Sequence, residues 1–202
     1  AIGDRNTSTG RESVAMGTLN KATGQESVAM GYENTASANS SIAIGDSSKA
    51  TGNYSVAMGL LNTASAESSF VMGRQTTANG HYSVAMGYLN TASEYASFVM
   101  GAENTTSETY SVAMGYKNTS IKTSSFSMGW MNTAGGDRSA VIGGYNRTIG
   151  IGTLAVGSYN TANGHGSIAM GGQYNDATKG NTANGRESVA MGHFNITSSD
   201  YS

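Results

Sequence analysis

A glycine returns every 14 residues along most of this chain: Gly3, Gly17, Gly31, Gly45, Gly59, Gly73, Gly87, Gly101, Gly115, Gly129, Gly143, Gly157 and Gly171. The next member, Gly192, follows after 21 residues, so one repeat carries seven more, "GQYNDAT" at 172–178. A fixed period over so many copies means that one short unit is stacked on itself, each copy burying what its neighbour cannot bury alone.

Every column of the repeat has its own chemistry. Met, Ile or Val stands just before the glycine in all fourteen copies, from Ile2 to Met191. Two residues earlier comes Val, Ile, Phe or Leu, with Ala140 the exception, and a small residue such as Ala15, Ala85 or Ala169 lies between. Third after the glycine is Asn in eleven copies of fourteen; Ser48, Thr76 and Tyr174 interrupt that column. A Thr-Ala pair often follows, with Lys21, Lys49 and Arg147 in place of Thr. A second period of 28 sits on the first: 53–80, 81–108 and 109–136 open on Tyr54, Tyr82 and Tyr110 and carry Phe70, Phe98 and Phe126 in their second halves.

The apolar runs are four residues long, partly β-branched and closed by Gly, which reads as a short strand and a turn, not as a helix. Fourteen residues hold two such strands and two tight turns, and stacked coils make an all-β, parallel β-solenoid. Composition alone leaves this open: Leu, Ile, Val and Phe number 28 of 202, a level associated with disorder, but the net charge is only −2. The anchor glycines are expected where a Cβ would clash or a backbone angle excludes one. Asn in register predicts an amide ladder and also suits a left-handed turn position.

In "SVAMG" Val and Met point to one face of the strand and Ala to the other. If the small residues fill the narrow coil, Val14, Met16, Val28, Met30, Val56, Met58, Phe70, Met72, Val84, Met86, Phe98, Met100, Val112 and Met114 form an outer apolar face. That face is larger than a soluble monomer ordinarily exposes and predicts burial against identical chains in a closed cyclic oligomer. The reverse assignment, with Val and Met inside, permits a monomer.

The phrases "ESVAMG" (12–17, 26–31, 187–192), "SIAIG" (41–45) and "SIAMG" (167–171) resemble the head repeats of YadA-like trimeric autotransporter adhesins. The resemblance covers essentially the whole chain, although Met stands where that family usually has Ile. It implies a left-handed parallel β-roll, packed as a homotrimer about a threefold axis. It also implies an extracellular, cell-surface setting and attachment to matrix proteins, host cells or other cells. Similar repeats occur in phage and virus fibres, which implies as an alternative a virion or appendage rod acting as spacer or receptor binder.

Residue chemistry points to no enzyme and to no cofactor or metal. With no Cys there is neither a disulfide framework nor a thiolate site. His81, His165 and His193 fall in variable columns as surface residues, and the glycine spacing is not that of a phosphate loop. A formal charge of −2 without a basic run argues against nucleic acid, and no apolar run is long enough for a membrane helix. The ligand surface expected of a head comprises Tyr54, Tyr82, Tyr95, Tyr110 and Trp130 along one side, with Tyr174, Asn175 and Asp176 in the insertion; the alternatives are that the aromatics pack over neighbouring coils and that the insertion only adjusts the roll. Its expected partners are two identical chains and a matrix or cell-surface protein or glycan. An ice-binding solenoid is a remote alternative, weakened where Lys21, Lys49 and Arg147 break the Thr rank. The chain begins in mid-phrase with "AIG" and stops at "SSDYS", and reads as a single β-roll, 1–202, taken from a longer repetitive protein.

Overall fold

Each coil spends its residues on one long strand, one short strand and the two turns between them. Val56–Leu60 and Thr63–Ala64 are one such pair, followed on the next coil by Phe70–Arg74 and Thr77–Ala78. In this computed structural model the chain is an all-β parallel solenoid of about fourteen coils, with residues 1–172 and 180–202 described. It divides into two units, Ala1–Ala102 and Glu103–Ser202.

In the first unit all pairing is parallel and shifts by one period per coil: Met58 lies beside Met72, Met72 beside Met86, and Met86 beside Met100. The short strands keep the same register, Thr63 beside Thr77 and Thr77 beside Thr91. In the second unit Met114 lies beside Met128 and Met128 beside Ile142. Across the longer repeat Met170 still pairs with Met191 and Thr161 with Thr182. Turn amides also bond from coil to coil, as in Leu61 N–H to the Asp46 carbonyl at 2.9 Å and Gln75 N–H to that of Leu60 at 2.8 Å. Proline would delete these donors, and the chain has none.

The interior is lined by small side chains. Ala15, Ala29, Ala43, Ala57 and Ala85 from the long strands and Ala22, Ala36, Ala50, Ala64, Ala78 and Ala92 from the short ones are fully buried. Val71, Val99 and Val141 are the largest apolar members of this lining. So narrow a coil admits Ala, Ser or at most Val at the middle position of each long strand, so the flanking residues, such as Val56 and Met58 or Phe70 and Met72, turn outward.

Beside the alanines runs a buried column of asparagines. Asn34 donates its backbone N–H and its Nδ2 to Asn20 Oδ1, both at 3.0 Å, and Nδ2 also reaches the carbonyls of Met30 (2.9 Å) and Gly45 (2.6 Å). The amide therefore ties its own coil to the carbonyl of the next anchor glycine, a role beyond the simple side-chain ladder expected. Where Ser48 and Thr76 interrupt the column, their hydroxyls donate to the equivalent carbonyls of Gly59 and Gly87, both at 3.2 Å. The interruption anticipated at Tyr174 is not one: the place after Asn160 is taken by Asn181, whose N–H meets Asn160 Oδ1 at 2.9 Å.

The left-handed turn position expected for Asn belongs instead to the residue before it. Leu19, Leu61 and Leu89 have φ of 59°, 57° and 51°. The second turn has its own left-handed column, which includes Tyr54, Tyr82 and Tyr110 at φ 58°, 57° and 56°. Among the described residues twenty-five other than glycine adopt positive φ, and none is β-branched, in keeping with the steric cost of a branched Cβ there. Leu89→Ile is accordingly expected to cost about 1–2 kcal/mol by thermal melting, and Leu89→Gly much less. Equal losses in both would show that the side chain's packing, not the backbone angle, matters.

Candidate functional surface

Val14, Met16, Val28, Met30, Val56, Met58, Phe70, Met72, Val84, Met86, Phe98 and Met100 all stand on the outer face of the long-strand sheet of the first unit, half-buried or exposed. Val112 and Met114 hold the same columns in the second unit. Met16 keeps 37% of its surface and Val14 41% in the isolated chain. The columns continue through Ile42 and Ile44, Phe126 and Met128, Leu154 and Val156, and Ile168 and Met170. Within each unit these apolar columns, on strands paired in register, offer shape and area but no directional chemistry.

The tyrosines lie at the turn leading into the long strands. Tyr54 and Tyr82 are 60% and 50% exposed. Tyr82 meets Tyr95 of the next coil edge-on, with centroids 5.4 Å apart and planes at 71°. His81 Nδ1 stands 3.6 Å from Glu67 Oε2 beside them, so this corner combines two ring orientations, a carboxylate and an imidazole. Tyr110 has the equivalent turn position in the second unit. Trp130 does not share that rank. It closes the long strand Phe126–Trp130 and so sits at the other turn, because the column after the anchor glycine and the column before the strand lie at opposite ends of the strand. Tyr174, Asn175 and Asp176 lie outside the described residues.

At that other turn Trp130 belongs to an aromatic row that the sequence reading did not assemble. Its ring centroid is 4.4 Å from that of Tyr116, and its Nε1–H donates to Tyr145 Oη at 3.2 Å. Tyr145 and Tyr159 are stacked at 4.7 Å with planes only 4° apart. The signal that would have found them is register: Trp130 follows Tyr116 by one period, and Tyr159 follows Tyr145 by one. Lys117 lies at the edge of this row, its Nζ 3.3 Å from Glu103 and 5.0 Å from the Tyr116 ring centroid. The Tyr116 hydroxyl and then the Glu103 carboxylate hold its ammonium above its ordinary pKa.

Elsewhere the chemistry is sparse. His165 and His193 are exposed on separate coils. A shallow hollow of about 250 Å³ lies between Leu19, Lys21, Glu33 and Thr35, open to solvent along the short strands. Among the described residues no three His, Asp or Glu side chains come together as a metal site, and no helix is long and apolar enough to cross a membrane.

A uniform small-residue coil, a buried amide column and an apolar outer sheet define a repeat solenoid whose distinguishing chemistry is all on its outside. The family described as "YadA head domain repeat (2 copies)" matches residues 1–20, 22–47, 36–62, 64–90, 92–118, 149–173 and 183–202, and the chain belongs to that family. The family is of the trimeric autotransporter adhesin type and is associated with cell-surface adhesins. No curated protein matches the chain.

Proposed function

We propose that this chain is the adhesive head of a trimeric surface adhesin outside the cell, three copies packed through their Val/Met faces. The observation that carries the reading is the outer sheet: columns of Val, Phe, Ile and Met continue from coil to coil and remain partly exposed in the single chain. Threefold closure buries such a face against copies of itself and removes the aggregation hazard of leaving it open. What then faces solvent is a set of repeated turns, including the Tyr54, Tyr82 and Tyr95 corner. Three chains multiply each weak contact by effective concentration. The ligand is a matrix or cell-surface protein or glycan held by many such contacts. The reading assigns no catalytic residue, and the chain works by presentation.

Sedimentation equilibrium on the purified chain is expected to give a concentration-independent trimer. Met58→Glu combined with Met86→Glu places two carboxylates per chain in the proposed core, and is expected to yield folded monomers. Attachment of coated beads to immobilised matrix proteins, glycans and cell surfaces is then expected for the trimer and lost for the monomer. A wild-type monomer would overturn the packing. A trimer that attaches to none of these surfaces would overturn the adhesive role and favour a spacer rod.

A further inference from the structure

The aromatic row at the turn after the long strands has a property that packing alone does not require. Tyr145 and Tyr159 are one coil apart, their rings are parallel within 4°, and their centroids are 4.7 Å apart. Both side chains leave the backbone from the same left-handed conformation, φ 57° and 58°, so they leave successive coils in parallel and are held at the coil spacing. Both are only partly buried. Trp130 Nε1–H donates to Tyr145 Oη at 3.2 Å, which limits how that phenol turns.

From this geometry we propose that Tyr145 and Tyr159 form a dityrosine cross-link when the protein meets hydrogen peroxide and a haem peroxidase. The balance is simple. Each phenol gives up one electron and one proton, so the pair reduces one hydrogen peroxide to two waters through the peroxidase. The two neutral phenoxyl radicals join through ring carbons ortho to oxygen, forming one C–C bond. The ortho hydrogens then move to the oxygens, restoring two phenols. The chain loses two hydrogens in total and gains a covalent tie between consecutive coils.

Other tyrosines are placed less well. Tyr54 and Tyr82 are two periods apart in sequence, and no tyrosine stands between them in their column. Tyr82 and Tyr95 meet near-perpendicular at 5.4 Å, which brings an edge to a face instead of two edges into line. Tyr116 faces Trp130, not a second phenol. In a solenoid the gain from such a tie is local: coils that separate independently at the periphery become joined.

The test is to treat the folded chain with horseradish peroxidase and hydrogen peroxide and to map cross-linked peptides by mass spectrometry. The expected product is the intact chain lighter by two hydrogens, with dityrosine fluorescence and the Tyr145 and Tyr159 peptides joined. Met oxidation adds oxygen and is separated by mass. Tyr145→Phe and Tyr159→Phe, each a partly buried turn residue that keeps its ring, are both expected to lose this product while keeping the circular dichroism spectrum of the parent. Chain unfolded in urea is expected to lose the preference for this pair. A dominant link at Tyr82–Tyr95, links only between chains, the same link pattern in urea, or no dityrosine at all would overturn the proposal.

Discussion

Gly87→Ala is expected to lower stability by about 3–5 kcal/mol, the sum of a backbone strain of about 1–3 and an overpacking cost of similar size. Gly87 has φ +116°, outside the left-handed region that the turn residues use. A Cβ built there stands 2.0 Å from the Gly101 carbonyl oxygen and 3.0 Å from Asn90 Nδ2. Both neighbours are committed. Asn90 Nδ2 already donates to that carbonyl at 2.7 Å and to Met86 O at 2.6 Å. Relief would mean separating two coils and breaking the amide that joins them. Gly152→Ala is the control, since Gly152 has φ +66° and nothing within 4 Å of its added Cβ. The same change there is expected to be near neutral, because tyrosines and serines occupy its column in other coils at similar φ. Thermal melting followed by circular dichroism separates the two, and equal losses would show that glycine conformation, not the inter-coil approach, sets the period.

Asn132→Leu is expected to be comparably damaging, at about 4 kcal/mol or more, because several buried groups lose partners that each are worth about 1–3. Asn132 Nδ2 serves the carbonyls of Met128 at 3.0 Å and Gly143 at 2.7 Å. Its Oδ1 receives the backbone N–H of Asn146 at 2.9 Å and that residue's Nδ2 at 3.2 Å. Leucine has the same branched outline but bulkier ends, and can do none of this. Serine can do part of it, as Ser48 does: its hydroxyl donates to Gly59 O and accepts Asn62 N–H at 3.3 Å. Asn132→Ser is therefore expected to retain roughly half of what leucine loses. Urea titration of the three proteins ranks them. If Leu and Ser prove equivalent, the column is a matter of packing and the amide network carries little of the stability.

The two substitutions together identify what holds a coil whose interior is mostly methyl groups. Ala15, Ala29 and Ala57 bury too little area to anchor the fold as a conventional core would. Directional bonds that recur once per coil supply the register, while the larger apolar side chains stand on the outer face of the long-strand sheet. That division explains why the most apolar side chains of the chain stand on its surface.

Much of this was legible in the residues. The period assigned every residue to a column, because residues one coil apart must lie side by side. Alternation put Val and Met on one face of the long strand and Ala on the other, but which face turned inward was left open, and the fully buried Ala15, Ala29 and Ala57 decide it. The anchor glycines and the stacked asparagines followed from the same register. Other features were not legible. Repetition at a fixed interval says which residues share a column, but it does not say which backbone angles carry the chain from one column to the next. Asn was expected at the left-handed turn position, yet Leu61, Leu89 and their equivalents take it, and the only trace in the sequence is a column free of β-branched residues. Trp130 was grouped with Tyr54 and Tyr82 as one surface. The strand Phe126–Trp130 separates its column from theirs by the length of the long strand and sets it with Tyr116, Tyr145 and Tyr159. The sequence by itself determined the coil and its register, because those depend on spacing alone. The tertiary structure decided which exposed side chains meet at each turn, because that depends on how the backbone bends between strands whose order is already known.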